Sequence, residues 1–404
     1  MKILIINHYA GSPGLGMAYR PYYLAKEWMK NGHEVVILGA DFSHLRKKNS
    51  DIKTDFEITY ENNVKYCWVK TPSYKGNGVK RTINMFTFIL KLRFNINKIL
   101  KIIAPDVVIA SSTYPLDNYI AHRISKKTGA KHIFEVHDLW PLSPMELGNM
   151  SKYHPFIVIM QAAENFAYKN ADKVVSMLPA TKEHMKEHGL DLRKWFHIPN
   201  GIVTSEKNDK DIGKGYKKIF DKLRKENKKI IMYAGGHALS NSLNTVVDAA
   251  KISDNKFAFV FVGSGNEKEK LIKQAEGLKN VFFLEPVPKN QIQTLLSYAD
   301  ILIIVWNKSP LYRFGISPNK IFDYMLAGKP IIHATDAPNK FTDEAKCGIS
   351  TEPENPGALV DAISRLLDMP EKDLKQMGEN GKDYVLKNHD YKVLAENFLK
   401  IIEK

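Results

Sequence analysis

Between positions 313 and 330, the backbone-exposing residues Gly315, Ser317 and Pro318 meet the charged pair Lys320 and Asp323, ahead of Gly328-Lys329-Pro330 and a buried-type strand. A Gly/Ser/Pro turn exposes N–H groups, the helix after it adds its positive N-terminal end, and both suit a diphosphate. Lys320 and Asp323 lie three apart on one helical face, where one can meet phosphate and the other ribose hydroxyls. An ordinary loop–helix–strand connection with a solvated lysine and aspartate has the same pattern, so the rest of the chain has to give the segment its meaning.

At the other end, residues 2–7 read as a core strand. His8-Tyr9, a loop with Gly11, Gly14 and Gly16, a helix over about 18–30, the turn Asn31-Gly32-His33 and a strand over 34–39 follow. A ligand can approach such a glycine loop closely. The glycines do not fit dinucleotide spacing, however, and no acid stands where the ribose of NAD would need one. Further strands are expected near 64–69, 107–110, 131–136, 173–177 and 195–198, then near 229–234, 257–262, 281–284, 301–305, 330–333 and 348–350, with helices between. Repeated βα units imply an α/β fold with two parallel sheets. The charged, strand-poor segment after Asn200-Gly201 marks the boundary: one domain over 1–203, a second over 204–387, and a helix at about 388–404 packing back on the first. A ligand is expected between them, at the carboxyl ends of the strands.

With 404 residues, 44% of them hydrophobic, the chain can bury two ordinary cores. Cys67 and Cys347 are too few and too far apart for a disulfide framework or a cysteine zinc site, which points to a reducing compartment. Met1-Lys2 leads straight into a strand, and apolar runs such as 301–306 fall far short of the roughly 20 residues of a spanning helix, so a soluble protein or one resting on a membrane surface is expected. The net charge of +15 is concentrated in residues 1–200, where 28 Lys/Arg face 17 Asp/Glu. No acid lies between Glu61 and Asp106, and the helical spacing of Ile83, Phe86, Leu90, Ile96, Leu100 and Ile103 there suits a basic amphipathic helix on anionic lipid, with Phe86, Phe88 and Phe94 entering the interface. A core helix with solvated lysines fits the same spacing. No nucleic-acid recognition motif is present, so that class is set aside. His184 and His188 stand four apart, but no third ligand is evident in sequence and no metal site is expected.

Taken in order, the Gly11-to-Gly16 loop, Glu135-Val136-His137-Asp138-Leu139-Trp140-Pro141, Ile198-Pro199-Asn200-Gly201-Ile202, Tyr233-Ala234-Gly235-Gly236-His237, Val262-Gly263-Ser264-Gly265 and the segment from Ser317 to Pro330 resemble the family 4 glycosyltransferases of the GT-B fold, in the group that builds bacterial surface polysaccharides (O-antigen, capsule). The likeness runs nearly end to end. It implies two Rossmann-like domains with parallel sheets facing a central cleft. It also implies retaining, metal-independent and cofactor-free transfer of a sugar from a UDP-sugar, the sugar an N-acetylated hexosamine or deoxyhexosamine. The implied acceptor is a saccharide or a polyprenyl-diphosphate-linked sugar at the cytoplasmic face of the cell membrane.

By the same resemblance His137 contacts the donor sugar; by their chemistry Asp138 is a candidate base or helper of His137, and Lys320, with Arg313, a candidate to stabilise the leaving diphosphate. Donor contacts fall on Gly16, Gly236, His237, Asn241, Val287 (in the loop expected to face uracil), Arg313, Ile316, Ser317, Asn319 and Asp323, and acceptor contacts on Gly14, Leu15 and Met17. Two departures stand out. Relatives carry an Arg and a Lys after the first strand of the second domain, where this chain has Gly236-His237-Ala238-Leu239-Ser240-Asn241. Of two glutamates eight apart, Asp323 takes the second place and no acid takes the first. Positive charge relocated to Arg313 and Lys320 is the expectation. A nucleotide-sugar epimerase of the same fold, or a non-catalytic partner, remains the alternative.

Overall fold

The computed structural model describes residues 1–76, 78–204, 211–253 and 257–404, and the chain divides into two compact units, Met1–Asn200 with Tyr391–Lys404, and Gly201–Asp390. In the first unit lie β1 (Lys2–Ile6), β2 (Glu34–Ala40), β3 (Glu57–Glu61), β4 (Val64–Val69), β5 (Val107–Ala110), β6 (Lys131–Val136), β7 (Lys173–Ser176) and β8 (Trp195–His197). They form one sheet in the order β3-β4-β2-β1-β5-β6-β7-β8, parallel throughout except where β3 pairs antiparallel with β4. The central strands are runs such as Ile3-Leu4-Ile5-Ile6 and Val107-Val108-Ile109, buried on both faces because crossover helices cover both. β3, Glu-Ile-Thr-Tyr-Glu, is an alternating edge strand with charges at both ends, and it lacks the apolar run that reveals its neighbours.

The second unit holds β9 (Lys229–Ala234), β10 (Phe257–Val262), β11 (Val281–Leu284), β12 (Ile301–Val305), β13 (Ile331–Ala334) and β14 (Gly348–Thr351), all parallel, in the order β11-β10-β9-β12-β13-β14. Chain direction across the sheet reverses between β9 and β12, and in the first unit between β1 and β5. Crevices at such switch points, at the carboxyl ends of the strands, are where open α/β sheets bind ligands.

The last two helices have different homes. Glu371–Asn388 packs in the second unit, where Gly378 is so close to the backbone at Gly328 that a Cβ would fall 2.0 Å from its carbonyl oxygen. Tyr391–Glu403 belongs to the first, with Trp28 Nε1 donating to the Ala395 carbonyl at 3.0 Å and Phe398 edge-on to the same indole.

The basic segment forms two helices, Val79–Phe94 and Ile96–Ile102. Phe88 is fully buried with Met85, Ile89 and Leu92, so it is a core residue and cannot enter a lipid interface. Lys91 pairs with Asp55 at 2.8 Å, and Lys98 donates to the Asp55 carbonyl at 3.0 Å, so part of the positive charge is spent against the β3–β4 side of the sheet. A second stripe, Val79, Ile83, Leu90 and Phe94, recurs at helical spacing and is exposed, Phe94 by 78%. No helix of the described residues is long and apolar enough to cross a membrane.

Candidate functional site

In the second unit the turn after β9, the turn after β10 and the helix Asn319–Leu326 close on one another through glycines. A Cβ on Gly235 would sit 2.4 Å from Lys320 Cε, and one on Gly265 2.3 Å from the His237 carbonyl oxygen, so neither position accepts a side chain without displacement. Lys320 reaches from its helix to the end of β9. Its Nζ donates to the Tyr233 hydroxyl and, at 3.1 Å, to Asn241 Oδ1, while lying 4.2 Å from the centre of the Tyr233 ring. Asn241 in turn donates from Nδ2 to the Gly236 carbonyl at 2.9 Å, and Tyr233 donates to the same oxygen at 2.7 Å. Enclosed among neutral dipoles, with no carboxylate within ion-pair distance among the described residues, the ammonium is disfavoured, and burial lowers the Lys320 pKa to about 7.

Asp323, one turn further on, is held by Lys289 at 2.5 and 2.6 Å. Burial raises its pKa while Lys289 pulls it back. Lys289 is 56% exposed and stands on a different segment, so it can swing away and leave the carboxylate to another donor. Residues three apart on one helix face thus engage quite different partners.

Several expected donor residues take other places. His237 is fully buried among Tyr233, Phe261 and Phe283, and burial, with help from Lys268 and Lys320, lowers its pKa to about 4. It is neutral at physiological pH and lies behind the turn, so it supplies no positive charge in place of the missing arginine. The Ile316 amide and carbonyl are both taken by the side chain of Asn339, at 3.0 and 2.7 Å, so the expected backbone contact is already satisfied. The Arg313 guanidinium folds onto the Phe314 ring and donates to the Pro310 carbonyl, whereas Lys320 points to β9, so the structure does not bring the two cations together. Ser317 is half-buried and Asn319 exposed at the start of a helix whose first N–H groups receive no side-chain cap. Val287 packs at the edge of the core, and the carbonyl of nearby Glu285 accepts from Tyr216 at 2.8 Å.

In the first unit the end of β6 carries the other cluster. Glu135 is buried, with Arg20 Nε donating to its Oε1 at 2.9 Å and Ser111 Oγ to its Oε2 at 2.6 Å. The Ser111 hydroxyl has one hydrogen and spends it on Glu135. His137 Nε2, 2.9 Å from Ser111 Oγ and 3.2 Å from Glu135 Oε2, must therefore carry the proton that meets both. Burial pushes the Glu135 pKa up, but Arg20, His137 and Ser111 together overcome it and hold the carboxyl below its usual range. The carboxylate that orients His137 is thus Glu135, two residues upstream, while Asp138 lies exposed at the surface. Arg20 also donates to the Ile198 and Pro199 carbonyls, which ties the end of this unit to the same cluster.

Nothing in sequence marked Arg20 or Ser111, because no local pattern distinguishes a buried arginine at a helix start from a solvated one. Arg81 is a further addition: it donates to the Tyr9 hydroxyl at 3.2 Å and lies 5.8 Å from the centre of the Trp140 ring, beside the segment that carries His137.

The glycine loop is more closed than expected. The Gly16 amide donates to the Ser12 carbonyl at 2.7 Å, and a Cβ at Gly16, whose φ is +109°, would meet the Lys47 nitrogen at 2.7 Å. That N–H is therefore not offered to a phosphate. Leu15 is buried, Gly14 exposed, and Met17 exposed by half.

The family model for Glycosyltransferase Family 4 matches residues 15–206, and that for Glycosyl transferases group 1 matches residues 216–384. The chain belongs to the family 4 glycosyltransferases. It is 23% identical over 268 residues to the putative colanic acid biosynthesis glycosyl transferase WcaI of Escherichia coli K12, covering 61% of this chain and 62% of that one, which is less than two thirds of WcaI's length. It is 21% identical over 336 residues to the probable glycosyltransferase WbjE of Pseudomonas aeruginosa, covering 80% and 79%. Among solved structures, Anabaena HepE in complex with UDP and glucose superposes with a TM-score of 0.68 at 15% identity over the whole of both chains. WaaG, a glycosyltransferase involved in lipopolysaccharide biosynthesis, does so with a TM-score of 0.65 at 14% identity over 100% and 99%. These likenesses make the fold GT-B.

Proposed function

We propose that this family 4 glycosyltransferase moves a sugar from a UDP-sugar to a lipid-linked or saccharide acceptor in the synthesis of a cell-surface polysaccharide. The observation that carries the donor reading is Lys320, held by Tyr233 and Asn241 at the end of β9 beside an uncapped helix start, with Asp323 one turn away. A cation poised against the diphosphate and a carboxylate for ribose are what a nucleotide-sugar requires, and Ser317 and Asn319 stand at the same turn. The complex of HepE with UDP, and the names of WcaI and WaaG, support the donor class and the polysaccharide setting.

In the proposed reaction the bond between the anomeric carbon and the diphosphate oxygen breaks, and the acceptor oxygen bonds to that carbon on the face the diphosphate leaves. The acceptor proton passes to the departing phosphate. Negative charge grows on the leaving group, and Lys320 with the helix N-terminus opposes it without a metal ion. His137, fixed by Glu135 and Ser111, is assigned to the sugar being transferred, and Gly14 and Met17 to the acceptor. The exposed stripe Val79-Ile83-Leu90-Phe94 and the basic residues around it support docking on the anionic inner face of the cell membrane, where a polyprenyl-diphosphate acceptor would be found.

A thermal-shift panel of nucleotide sugars tests the donor reading, since a ligand that binds only the folded state raises its apparent stability. A UDP-sugar should raise the midpoint of the wild-type chain and not of Lys320→Ala. A shift by no nucleoside diphosphate would leave a non-catalytic GT-B protein, and isomerisation of the sugar without acceptor would make the chain an epimerase.

A further inference from the structure

The helix Pro155–Asn170 supplies what the sequence around His184 and His188 lacks. Glu164, on that helix, is only 2% exposed, and its carboxylate converges with one ring nitrogen of each histidine so that the three candidate ligand atoms lie within 4.8 Å of one another. His184 Nε2 stands 3.5 Å from Glu164 Oε1, and the two imidazole centroids are 4.5 Å apart. In a tetrahedral site with bonds of about 2.0–2.2 Å, neighbouring ligand atoms are about 3.3–3.6 Å apart, so the Glu–His separation already matches. It is too long for a good hydrogen bond.

The charge balance points the same way. A carboxylate this buried is ordinarily paired with a cation or bound to a metal, yet among the described residues the partner of Glu164 within ion-pair distance is a histidine. The Gln161 Nε2 group, with two hydrogens, faces Glu164 Oε2 at 2.8 Å, Asn165 Oδ1 at 2.8 Å and His188 Nδ1 at 2.9 Å. An outer shell is also in place, because Tyr168, itself buried, donates to Glu164 Oε1 at 2.9 Å and fixes the carboxylate's orientation.

We propose that Glu164, His184 and His188 bind a divalent transition-metal ion. Zinc suits two imidazoles and a carboxylate best, with water or Asn165 Oδ1 in the fourth position. The ion would clamp the short helix Lys182–Glu187 and its end at His188 onto the helix Pro155–Asn170. It is a structural site, separate from the chemistry proposed above, and its readouts are spectroscopy and stability.

The test uses the full chain, stripped with chelator and titrated with Co²⁺, whose visible absorption is strong when the site is tetrahedral, then with Zn²⁺ as competitor and with thermal unfolding in parallel. The expected result is one tightly bound ion, displaced by Zn²⁺, and a Zn²⁺-dependent rise in unfolding midpoint. His188→Gln changes a half-exposed residue, and Glu164→Gln keeps the shape of the side chain, so both should fold. Losing an outer-shell partner costs about 10–100-fold in affinity, so losing a ligand should cost at least about 100-fold and abolish the midpoint rise. His33→Gln, in the turn before β2, should change neither. Absence of stoichiometric binding, or equal binding by the wild type and both ligand variants, would overturn the proposal.

Discussion

Lys320 should make donor binding depend on pH in a way that separates it from an ordinary surface lysine. Its Nζ is enclosed by Tyr233, Asn241 and the turn at Gly235, and burial lowers its pKa to about 7 in the free protein. A diphosphate at that nitrogen favours the cation, so the complex has the higher pKa and the protein takes up a proton on binding when the pH is above 7. If only the charged form binds, apparent affinity relative to the fully protonated limit falls about 2-fold at pH 7, about 10-fold at pH 8 and about 100-fold at pH 9. A UDP-sugar is the right probe, because its diphosphate carries no terminal phosphate to titrate in this window. Isothermal titration in buffers of different ionisation enthalpy reads both the affinity and the proton uptake. Lys320→Arg, charged at every pH, should flatten the profile, while Lys320→Met should flatten it at the weak end. A wild-type affinity that stays constant from pH 7 to pH 9, with no proton taken up, would refute the placement of Lys320 against the diphosphate.

Replacing Arg20 by Ala should destabilise the first unit by about 3–5 kcal/mol, because it leaves Glu135 buried without its cation, and adding Glu135→Gln should recover part of the loss in denaturant unfolding. An unchanged midpoint for Arg20→Ala would show that the pair does not anchor the cluster. Asp323→Ala should weaken UDP by about 1.5–3 kcal/mol, the value of a hydrogen bond to a charged group, whereas Lys289→Ala should leave it equal or tighter by freeing the carboxylate. Calorimetry decides this, and a loss on Lys289→Ala as large as that on Asp323→Ala would make the ion pair itself the binding element. Wild-type protein should float with vesicles containing phosphatidylglycerol, less so in high salt, and Ile83→Ser with Phe94→Ser should stay in solution. Recovery independent of vesicle charge would remove the membrane reading.

Most strands were legible in sequence because parallel strands covered by helices on both faces must be continuous apolar runs, and Ile301–Val305 or Phe257–Val262 is hard to read otherwise. β3 was missed because an edge strand with charged ends lacks that signature. The segment around Lys320 stands out in sequence because glycines, a helix start and two charges fall within one short stretch, and the structure sets Lys320 against Tyr233 and Asn241 at the end of β9.

What stayed hidden was long-range pairing. Lys289 meets Asp323 from 34 positions away, and Arg20 meets Glu135 from 115 positions away. Neither residue stands in a local pattern that separates it from a solvated charge. His237 shows the opposite error: its place after β9 suggested a ligand contact, but the side chain turns into the aromatic layer behind the glycines. Phe88 likewise belongs to the core although its helix is basic, because one helix carries two apolar stripes and only the outer one is exposed.

Sugar transfer itself is tested most directly by incubating the full chain with a radiolabelled UDP-sugar chosen from the thermal-shift panel and a bacterial lipid extract, in the presence of a chelator. The expected result is label moving into the organic phase with release of one UDP per sugar transferred, an anomeric configuration unchanged from the donor, and loss of transfer in Lys320→Ala. Bound UDP-sugar that is never consumed, or a sugar isomerised with no label reaching any acceptor, would contradict it.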